Sequence, residues 1–185
     1  GGSATMRARA TRLKAIRREC RGLVFDRNGC LISRPFNKFF NVNERDETQM
    51  HCIDLGQPHV ILEKLDGSMI TPVYAEHGVR WGTKMGITEV SMQAELFVVD
   101  HPEYDAMAKA CHQQGLTPIF EWCSRKQRIV IDYVIDRFVL IAMRDTITGE
   151  YMSYDALRAE AEGNALDVVR AYPGTTESMQ HLIDE

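Results

Sequence analysis

The hydrophobic pattern of the chain changes its period twice, and this change constrains the fold more than any other feature. Short β-prone runs separated by turn signals lie within 60–84 and return within 117–144. Between them, two segments with helical apolar spacing cover 89–99 and 103–114, with Gly115 placed as a C-terminal stop. Because strands and helices do not alternate strictly, the pattern predicts an α+β fold with antiparallel sheets and interspersed helices.

The strand predictions depend on turn residues at both ends of each apolar run. The predicted strands are 22–25, 30–33, 60–65, 69–75, 79–84, 117–123, 128–133 and 137–144. Asn28-Gly29 is expected to supply positive φ angles to the first hairpin. Asp66-Gly67 is expected to join the strand before it to the strand after it, so that the two pair.

Two short closing helices are predicted after the last strand. Ser153 is the expected N-cap of a helix over 154–161, and Thr175 or Thr176 that of a helix over 177–183. With 185 residues, of which 44% are hydrophobic, the chain can bury one sizeable core. A single domain over 1–185 is therefore expected, with Gly1-Gly2-Ser3 excluded as a typical expression-vector remnant.

Composition argues against membrane, secreted and zinc-binding classes. The longest apolar run, 138–143, is far shorter than the roughly 20 residues that cross a bilayer. No signal peptide is visible, because no apolar segment follows the basic N-terminal stretch. The five cysteines include no Cys-x-x-Cys pair, and the six histidines include no His-x-x-x-His pair. Reduced thiols, a cytoplasmic location and no structural zinc are therefore expected.

Charge is distributed unevenly along the chain. Residues 1–21 carry seven cations and one anion, Glu19, whereas the remainder carries 15 cations and 25 anions. The N-terminal arm is thus basic and the body acidic. The expected explanation is solvated charge on a terminal helix, and the alternative is an arm that follows a phosphate backbone.

Lys64 ends an apolar run and stands directly before the Asp66-Gly67 turn. A lysine amine can act as a nucleophile when desolvation or nearby cations lower its pKa. The alternative is an exposed lysine before an ordinary hairpin turn. The motif Lys-x-Asp-Gly is therefore a weak signal when taken alone.

Four further clusters place cations beside glycine or a polar group inside an apolar run. They are 19–22, 34–41, 83–86 and 120–122. Glu121 either faces solvent through strand alternation, which the local pattern favours, or is buried with a partner. Arg21, Lys38 and Lys84 can each bind a polyphosphate through charge-assisted hydrogen bonds, although each one singly is typical of surface charge.

Taken in order, these motifs resemble those of the covalent nucleotidyltransferases. Lys-x-Asp-Gly at 64–67 is preceded by Glu-Cys-Arg-Gly-Leu-Val-Phe at 19–25 and Arg-Pro-x-x-Lys-Phe-Phe-Asn at 34–41. Phe-Glu at 120–121 and Arg-Ile-Val-x-x-Tyr at 128–133 follow it. Within that superfamily the chain is most similar to the ATP-dependent RNA ligases of the phage tRNA-repair type, RNA ligase 1. The likeness extends over roughly 19–161.

The resemblance implies an adenylyltransferase domain, unrelated to the ATP-grasp fold, and a three-step reaction. Lys64 would attack the α-phosphorus of ATP, expel pyrophosphate and become a lysyl-adenylate. AMP would pass to an RNA 5′-phosphate, and a 3′-hydroxyl would then attack the activated end and release AMP. The implied partner is RNA with these two ends, with tRNA as the expected example, in the cytoplasm of a bacterium or phage-infected host.

The resemblance also implies a set of binding residues. Those expected around ATP are Arg21, Lys38, Phe40, Glu63, Leu65, Gly67, Lys84, Glu121 and Leu140 or Ile141. The three cations would contact the phosphates, and Phe40, Ile141 and the backbone of 63–65 would hold adenine. Glu121 would contact the ribose or organise the metal. Asp66 would hold the hydration shell of Mg²⁺ or Mn²⁺, since hydrated Mg²⁺ favours sparse carboxylate sites.

The chain departs from the family pattern after the last predicted strand. The family continues with a Glu-Gly-x-Val strand and a Lys-x-Lys strand, and neither is found before Glu185. Glu162-Gly163-Asn164-Ala165 follows a helical stretch and lacks the valine. A domain incomplete at its C-terminus, and weak or absent activity of this piece alone, are therefore expected.

Two other functions remain open from the sequence. Lys-x-Asp-Gly also serves DNA ligases and GTP-using capping enzymes, although the 34–41 and 128–133 segments favour an RNA ligase. A non-catalytic module that binds nucleotide or RNA is the alternative of a different class.

Overall fold

The computed structural model describes residues 2–125 and 135–174, and its elements follow the predicted change of period. The α-helices are α1 (Gly2–Glu19), α2 (Glu89–Val99), α3 (Glu103–Gln113) and α4 (Tyr154–Gly163). The strands are β1 (Val24–Phe25), β2 (Leu31–Ser33), β3 (Ile61–Leu62), β4 (Ser68–Ala75), β5 (Gly78–Gly82), β6 (Leu116–Cys123), β7 (Arg137–Asp145), β8 (Asp167–Val168) and β9 (Ala171–Tyr172). Two 3₁₀ turns, Asp46–Thr48 and Met50–Cys52, lie between β2 and β3.

A five-stranded sheet in the order β5-β4-β6-β7-β8 forms the centre of the fold. Its pairs are antiparallel except that of β7 with β8, which is parallel and connected through α4. The α+β prediction is therefore confirmed, with one crossover that the sequence pattern did not indicate. No helix in the described parts of the chain has both the length and the apolar character that crossing a bilayer requires.

The predicted pairing of the strands on either side of Asp66-Gly67 is wrong. β4 has β5 on one edge and β6 on the other. With both edges of β4 taken, β3 pairs instead with β9, Ile61 opposite Tyr172. β3 also carries little burial, since Leu62 is exposed. The segment that precedes Lys64 is thus held by β9 and not by the next strand, β4.

The first hairpin forms as predicted, but its turn has a different geometry. Only Gly29, at φ +80°, adopts a positive φ, and Asn28 does not. The Asp26 carboxylate accepts hydrogen bonds from the backbone N–H groups of Asn28 and Cys30. This side-chain capping of the turn replaces the second left-handed residue that the Asn-Gly pattern predicted.

The helix predictions are confirmed for α2, α3 and α4. Thr88 and Ser91 form a reciprocal cap at the start of α2, and Gly115, at φ +71°, ends α3. Ser153 caps α4 through the backbone N–H of Ala156. The predicted strand 128–133 lies outside the described residues, and so do Thr175, Thr176 and the predicted helix 177–183.

An aromatic core holds the helices against one face of the sheet. Trp81, Phe120 and Phe138 are fully buried, with ring centroids 4.6–5.5 Å apart. The buried Tyr104 of α3 donates a hydrogen bond to the Phe138 carbonyl oxygen. Because neighbouring residues of a strand point to opposite faces, Phe120 in this core directs Glu121 to the other face of β6. The core thereby determines where the candidate site lies.

Candidate functional site

A cavity of about 690 Å³ brings together most of the residues predicted around the nucleotide. The predicted residues that line it are Arg21, Phe40, Glu63, Lys64, Leu65, Glu121 and Ile141. They come from the segment after α1, the loop after β2, the β3–β4 connection, β6 and β7. The fold therefore assembles, from five separate parts of the chain, a site that the sequence could only propose.

A smaller cavity of about 290 Å³ lies beside the first. Gly67, Thr83 and Lys84 line it, so two further predicted residues are placed here. Arg21 and Met69 line both cavities, which makes Arg21 the cation common to the two. Of the predicted cations, Arg21 therefore lines the larger cavity, whereas Lys84 lies only in the smaller cavity beside it.

Lys64 is exposed, but the backbone on each side of it is anchored. The Glu63 N–H donates a hydrogen bond to the Arg170 carbonyl oxygen at 2.9 Å, and the Leu65 side chain is 8% exposed in the hydrophobic core. Lys64 thus lines the cavity on a short segment with little freedom. Such a segment presents the amine in a defined position while leaving it open to an incoming group.

Glu121 is half-buried, so it lies between the two alternatives, neither fully facing solvent nor fully buried. Its Oε1 accepts a hydrogen bond from the backbone N–H of Gly67 at 3.0 Å. Burial raises the pKa of Glu121 to about 7, against the opposing effects of the Gly67 hydrogen bond and the charge of Lys64. Strand alternation did turn Glu121 away from the aromatic core, but the β3–β4 connection covers the face to which it turned.

Gly67 is required by close packing and not by its φ angle. A Cβ at this position would collide with the Trp122 carbonyl oxygen and would lie 3.2 Å from the Glu121 Cγ. The absence of a side chain lets the turn after Lys64 lie directly on β6. The Gly67–Glu121 hydrogen bond is a consequence of that approach, and it links the Lys-x-Asp-Gly motif to the Phe-Glu motif.

Three cations surround the ring of Phe40, which lines the larger cavity. The charged groups of Arg18, Lys38 and Arg45 lie 4.9–5.1 Å from the centroid of the Phe40 ring. Lys38 lines neither cavity. Phe40 reaches the larger cavity as predicted, whereas Lys38 lies against the ring of Phe40.

The predicted metal residues are only partly brought together. Glu121 lines the larger cavity, and the charge of the neighbouring Asp66 contributes to raising its pKa. Asp66 lines neither cavity. Within residues 2–125 and 135–174, no group of three or more His, Cys, Asp or Glu side chains could hold a metal ion. The described residues offer at most a sparse carboxylate site.

Glu19 and Arg34, which belong to the clusters 19–22 and 34–41, have structural roles. The Glu19 carboxylate pairs with Arg34 and Arg144, each at 2.9 Å. Arg144 is 3% exposed and also donates to the carbonyl oxygens of Pro35 and Gly149. Burial raises the pKa of Glu19, but the hydrogen bonds from Arg144 and Arg34 outweigh it and hold the pKa below its usual range. This network fastens the end of α1 and the loop after β2 to β7.

Several lining residues were missed by sequence reasoning. Phe36, Phe39, Asn41, Val42, Met69 and Val169 line the larger cavity. The first three belong to the 34–41 cluster, whose run of aromatic residues was a usable signal. Val169 had none, because it reaches the cavity through its hydrogen bond to the Leu140 carbonyl oxygen beside β8.

Comparison with known proteins identifies the family. The family model described as RNA ligase matches residues 19–180. The chain belongs to this RNA ligase family. The resemblance to the RNA ligase 1 type is thereby confirmed, and its matched range includes both cavities.

Two curated relatives of this RNA ligase family member extend the finding. A protein of Thermovibrio ammonificans (strain DSM 15698 / JCM 12110 / HB-1), named "Putative RNA ligase", is 34% identical over 180 residues, covering 92% of this chain and 45% of the relative. RNA ligase 1 of Bacteriophage TS2126 is 27% identical over 144 residues, covering 73% of this chain and 36% of the relative. The chain therefore spans less than half the length of the curated relatives it matches.

One solved structure is similar at a lower level. It is titled "Archaeal ATP-dependent RNA ligase - form 2" and aligns with a TM-score of 0.44 and 17% sequence identity. The alignment covers 61% of this chain and 30% of that structure.

Proposed function

We propose that residues 1–185 supply the adenylyltransferase part of an ATP-dependent RNA ligase that forms a lysyl-adenylate at Lys64. The observation that carries this proposal is the larger cavity, which contains Lys64 together with Arg21 and the half-buried Glu121. Membership of the RNA ligase family supports the same assignment. Because phosphoryl transfer depends mainly on positioning and charge neutralisation, a lysine on an anchored segment beside cations suits the reaction.

The two cavities suit the two parts of ATP. Phe40, Leu65 and Ile141 give the larger cavity apolar walls, which fit a purine base. Lys84 lies in the smaller cavity and Arg21 in both, which fits a triphosphate that extends from one cavity to the other. Lys38 lies against the ring of Phe40 and outside both cavities, so its side chain would have to move before it could contact the phosphates.

The first step joins the Lys64 amine to the α-phosphorus. The nitrogen lone pair forms an N–P bond, the bond to the bridging oxygen breaks, and pyrophosphate leaves with that electron pair. The ammonium proton is released to solvent, which is accessible because Lys64 is exposed. In the later steps the 5′-phosphate of RNA takes AMP from Lys64, and a 3′-hydroxyl displaces AMP to seal the strand.

Asp66 and Glu121 are the carboxylates that fit a Mg²⁺ or Mn²⁺ ion. Hydrated Mg²⁺ binds through one or two carboxylates together with substrate phosphates, so a site of this size is sufficient. The ion would neutralise charge on the phosphates. Glu121, whose pKa is raised to about 7, becomes a better ligand when a cation favours its ionised form.

The proposal extends to the substrate and its location. The RNA ends are a 5′-phosphate and a 3′-hydroxyl, the expected substrate is a broken tRNA, and the reaction takes place in the cytoplasm. The relatives' names support RNA as the polymer. End preference and repair of tRNA are tested with synthetic RNA strands that carry each combination of ends.

Labelling with ATP tests the proposal directly. The natural full-length protein, incubated with Mg²⁺ and ATP labelled at the α-phosphate, is expected to acquire an adduct that is stable to alkali, labile to acid and abolished by Lys64→Ala. Lys109→Ala, which removes an exposed lysine of α3, is the control and should keep the adduct. Label from GTP in place of ATP would favour a capping enzyme, and a full-length protein that takes no label would favour a non-catalytic binding module.

A further inference from the structure

We infer that α1 is a docking surface for the phosphate backbone of the RNA strand whose end enters the larger cavity. This inference deepens the proposed function and rests on it for the identity of the polyanion. Three features carry it: the exposed charge of α1, the path of cations from α1 to the cavity, and the opposite charge of the remaining chain.

Five cations of α1 are exposed and form no ion pair within the described residues. Residues 4–17 are exposed on every side of the helix, and α1 has no acidic residue before Glu19. The cations concerned are Arg7, Arg9, Arg12, Lys14 and Arg17. None of these five forms an ion pair within the described residues, whereas Arg18 at the end of the helix pairs with Glu47 at 2.6 Å.

Such a helix gains little stability from the protein itself. It buries no apolar face over 4–17, and cations three or four residues apart, such as Lys14 with Arg17, repel one another. Most helical stability in proteins comes from tertiary packing of an apolar face, which α1 lacks over 4–17. A bound polyanion would both neutralise the repulsion and release counterions, so it would stabilise α1 as it binds.

The cations continue from α1 to the cavity. The Lys38 N–H donates to the Arg18 carbonyl oxygen at 2.8 Å, which joins the end of α1 to the loop that carries Phe39 and Phe40. Phe39 is 60% exposed, with the Arg21 guanidinium 5.7 Å from its ring centroid. An exposed aromatic ring among cations is the combination that binds single-stranded nucleic acid, because bases stack on the ring while phosphates meet the cations.

The length of α1 fits a short stretch of RNA. Its 18 residues extend over about 27 Å, the span of about eight stacked nucleotides. Residues 22–185 carry 15 cations and 25 anions, so a polyanion is repelled there and directed to α1. A strand held there would enter the cavity beside Arg21.

An anionic membrane surface is the competing partner for a basic helix. Met6, Leu13 and Ile16 are exposed and could insert into a lipid interface. RNA is favoured because the end of α1 is joined to the loop that carries Phe39, beside Arg21, at the cavity that contains Lys64. Membrane binding would not require that connection.

The test compares two triple variants of equal charge. Arg9→Gln, Arg12→Gln and Lys14→Gln remove three cations of α1, and Arg27→Gln, Lys109→Gln and Arg158→Gln remove three exposed cations of other elements. Binding of a 5′-phosphorylated single-stranded RNA to the full-length protein without ATP is measured by fluorescence anisotropy. Salt is varied from about 50 mM to about 200 mM, the range over which phosphate contacts are lost.

The α1 variant is expected to bind RNA at least about tenfold more weakly. The slope of log affinity against log salt concentration should become shallower by about 2, since each single-strand phosphate contact contributes about 0.7. The matched variant should change affinity by less than about twofold. Adduct formation with ATP, which requires no RNA, should be unchanged in both.

Three results would overturn the inference: unchanged RNA binding by the α1 variant, equal loss in both triple variants, or loss that appears only with vesicles of anionic phospholipid. Its failure is separable from failure of the proposed function. If the adduct forms but RNA binding does not depend on α1, only the inference about α1 is refuted. α1-dependent RNA binding without any adduct would refute the proposed function alone.

Discussion

The charges at the candidate site and those on α1 are organised in opposite ways. Glu121 is half-buried and hydrogen-bonded to Gly67, and burial raises its pKa to about 7. Arg12 and its neighbours on α1 are exposed to solvent. A buried charge responds to pH and to the loss of one partner, whereas exposed charges act through their number and are screened by salt. The two regions therefore predict different sensitivities within one chain.

The largest effect on stability is expected at the buried arginine that holds the end of α1. Arg144→Leu leaves the carbonyl oxygens of Pro35 and Gly149 without their donors and removes one partner of Glu19. We expect the free energy of unfolding to fall by about 3–5 kcal/mol in urea denaturation. The control Arg158→Leu breaks an exposed pair with Glu162 and should cost less than about 1 kcal/mol. Equal costs would contradict the contrast between buried and exposed charge.

An intermediate effect, dependent on pH, is expected at Glu121. Its pKa in the folded protein is raised from 4.5 to about 7, so the folded chain binds this proton more tightly than the unfolded chain. The free energy of unfolding should therefore fall as pH rises from 4.5 to 7, by up to about 3 kcal/mol from this residue.

Glu121→Gln should remove this pH dependence while keeping an oxygen that accepts from Gly67. Above pH 7 the variant should be more stable than the natural protein, because it no longer buries a charge. Glu150→Gln, at an exposed position, serves as the control and should leave the pH profile unchanged. The expectation fails if the free energies of unfolding of Glu121→Gln and the natural protein differ by a constant amount from pH 4.5 to 7. That result would show that folding does not raise the pKa of Glu121.

The smallest effect on stability is expected on α1. The triple variant Arg9→Gln, Arg12→Gln and Lys14→Gln replaces exposed cations by a residue of similar helix propensity. Its free energy of unfolding should stay within about 0.5 kcal/mol of the natural protein in thermal or urea denaturation. A loss comparable to that of Arg144→Leu would show that α1 is part of the core assembly and would remove the contrast.

Local features of the fold could be predicted because their causes are local. The predicted bounds of α2 and the predicted cap Ser153 follow from residues within one helical turn. Gly115 ends α3 for the same reason. The pairing of β3 could not be predicted in this way, since Ile61 meets Tyr172 across more than a hundred residues. The hairpin expected at Asp66-Gly67 was wrong because local turn chemistry does not show which edges of β4 are taken.

The candidate site, too, could be predicted only in part from the sequence. Lys64, Arg21 and Phe40 were predicted from ordered motifs, and the cavity contains all three. Lys38 and Asp66 were predicted with them but line neither cavity. Val169 lines the cavity without any signal in the sequence, because it arrives there through the parallel pairing of β8 with β7.

The sequence alone determined the family, the α+β class and the helices α2, α3 and α4 with the cap Ser153 and the stop at Gly115, since ordered motifs and local propensities are properties of neighbouring residues. Only the tertiary structure decided that Glu121 is half-buried, that Gly67 must lack a side chain, and that Glu19 pairs with two arginines. Each of these depends on the distance between residues far apart in the chain. Burial, which sets the pKa of Glu121 and the cost of removing Arg144, exists only once those residues have met.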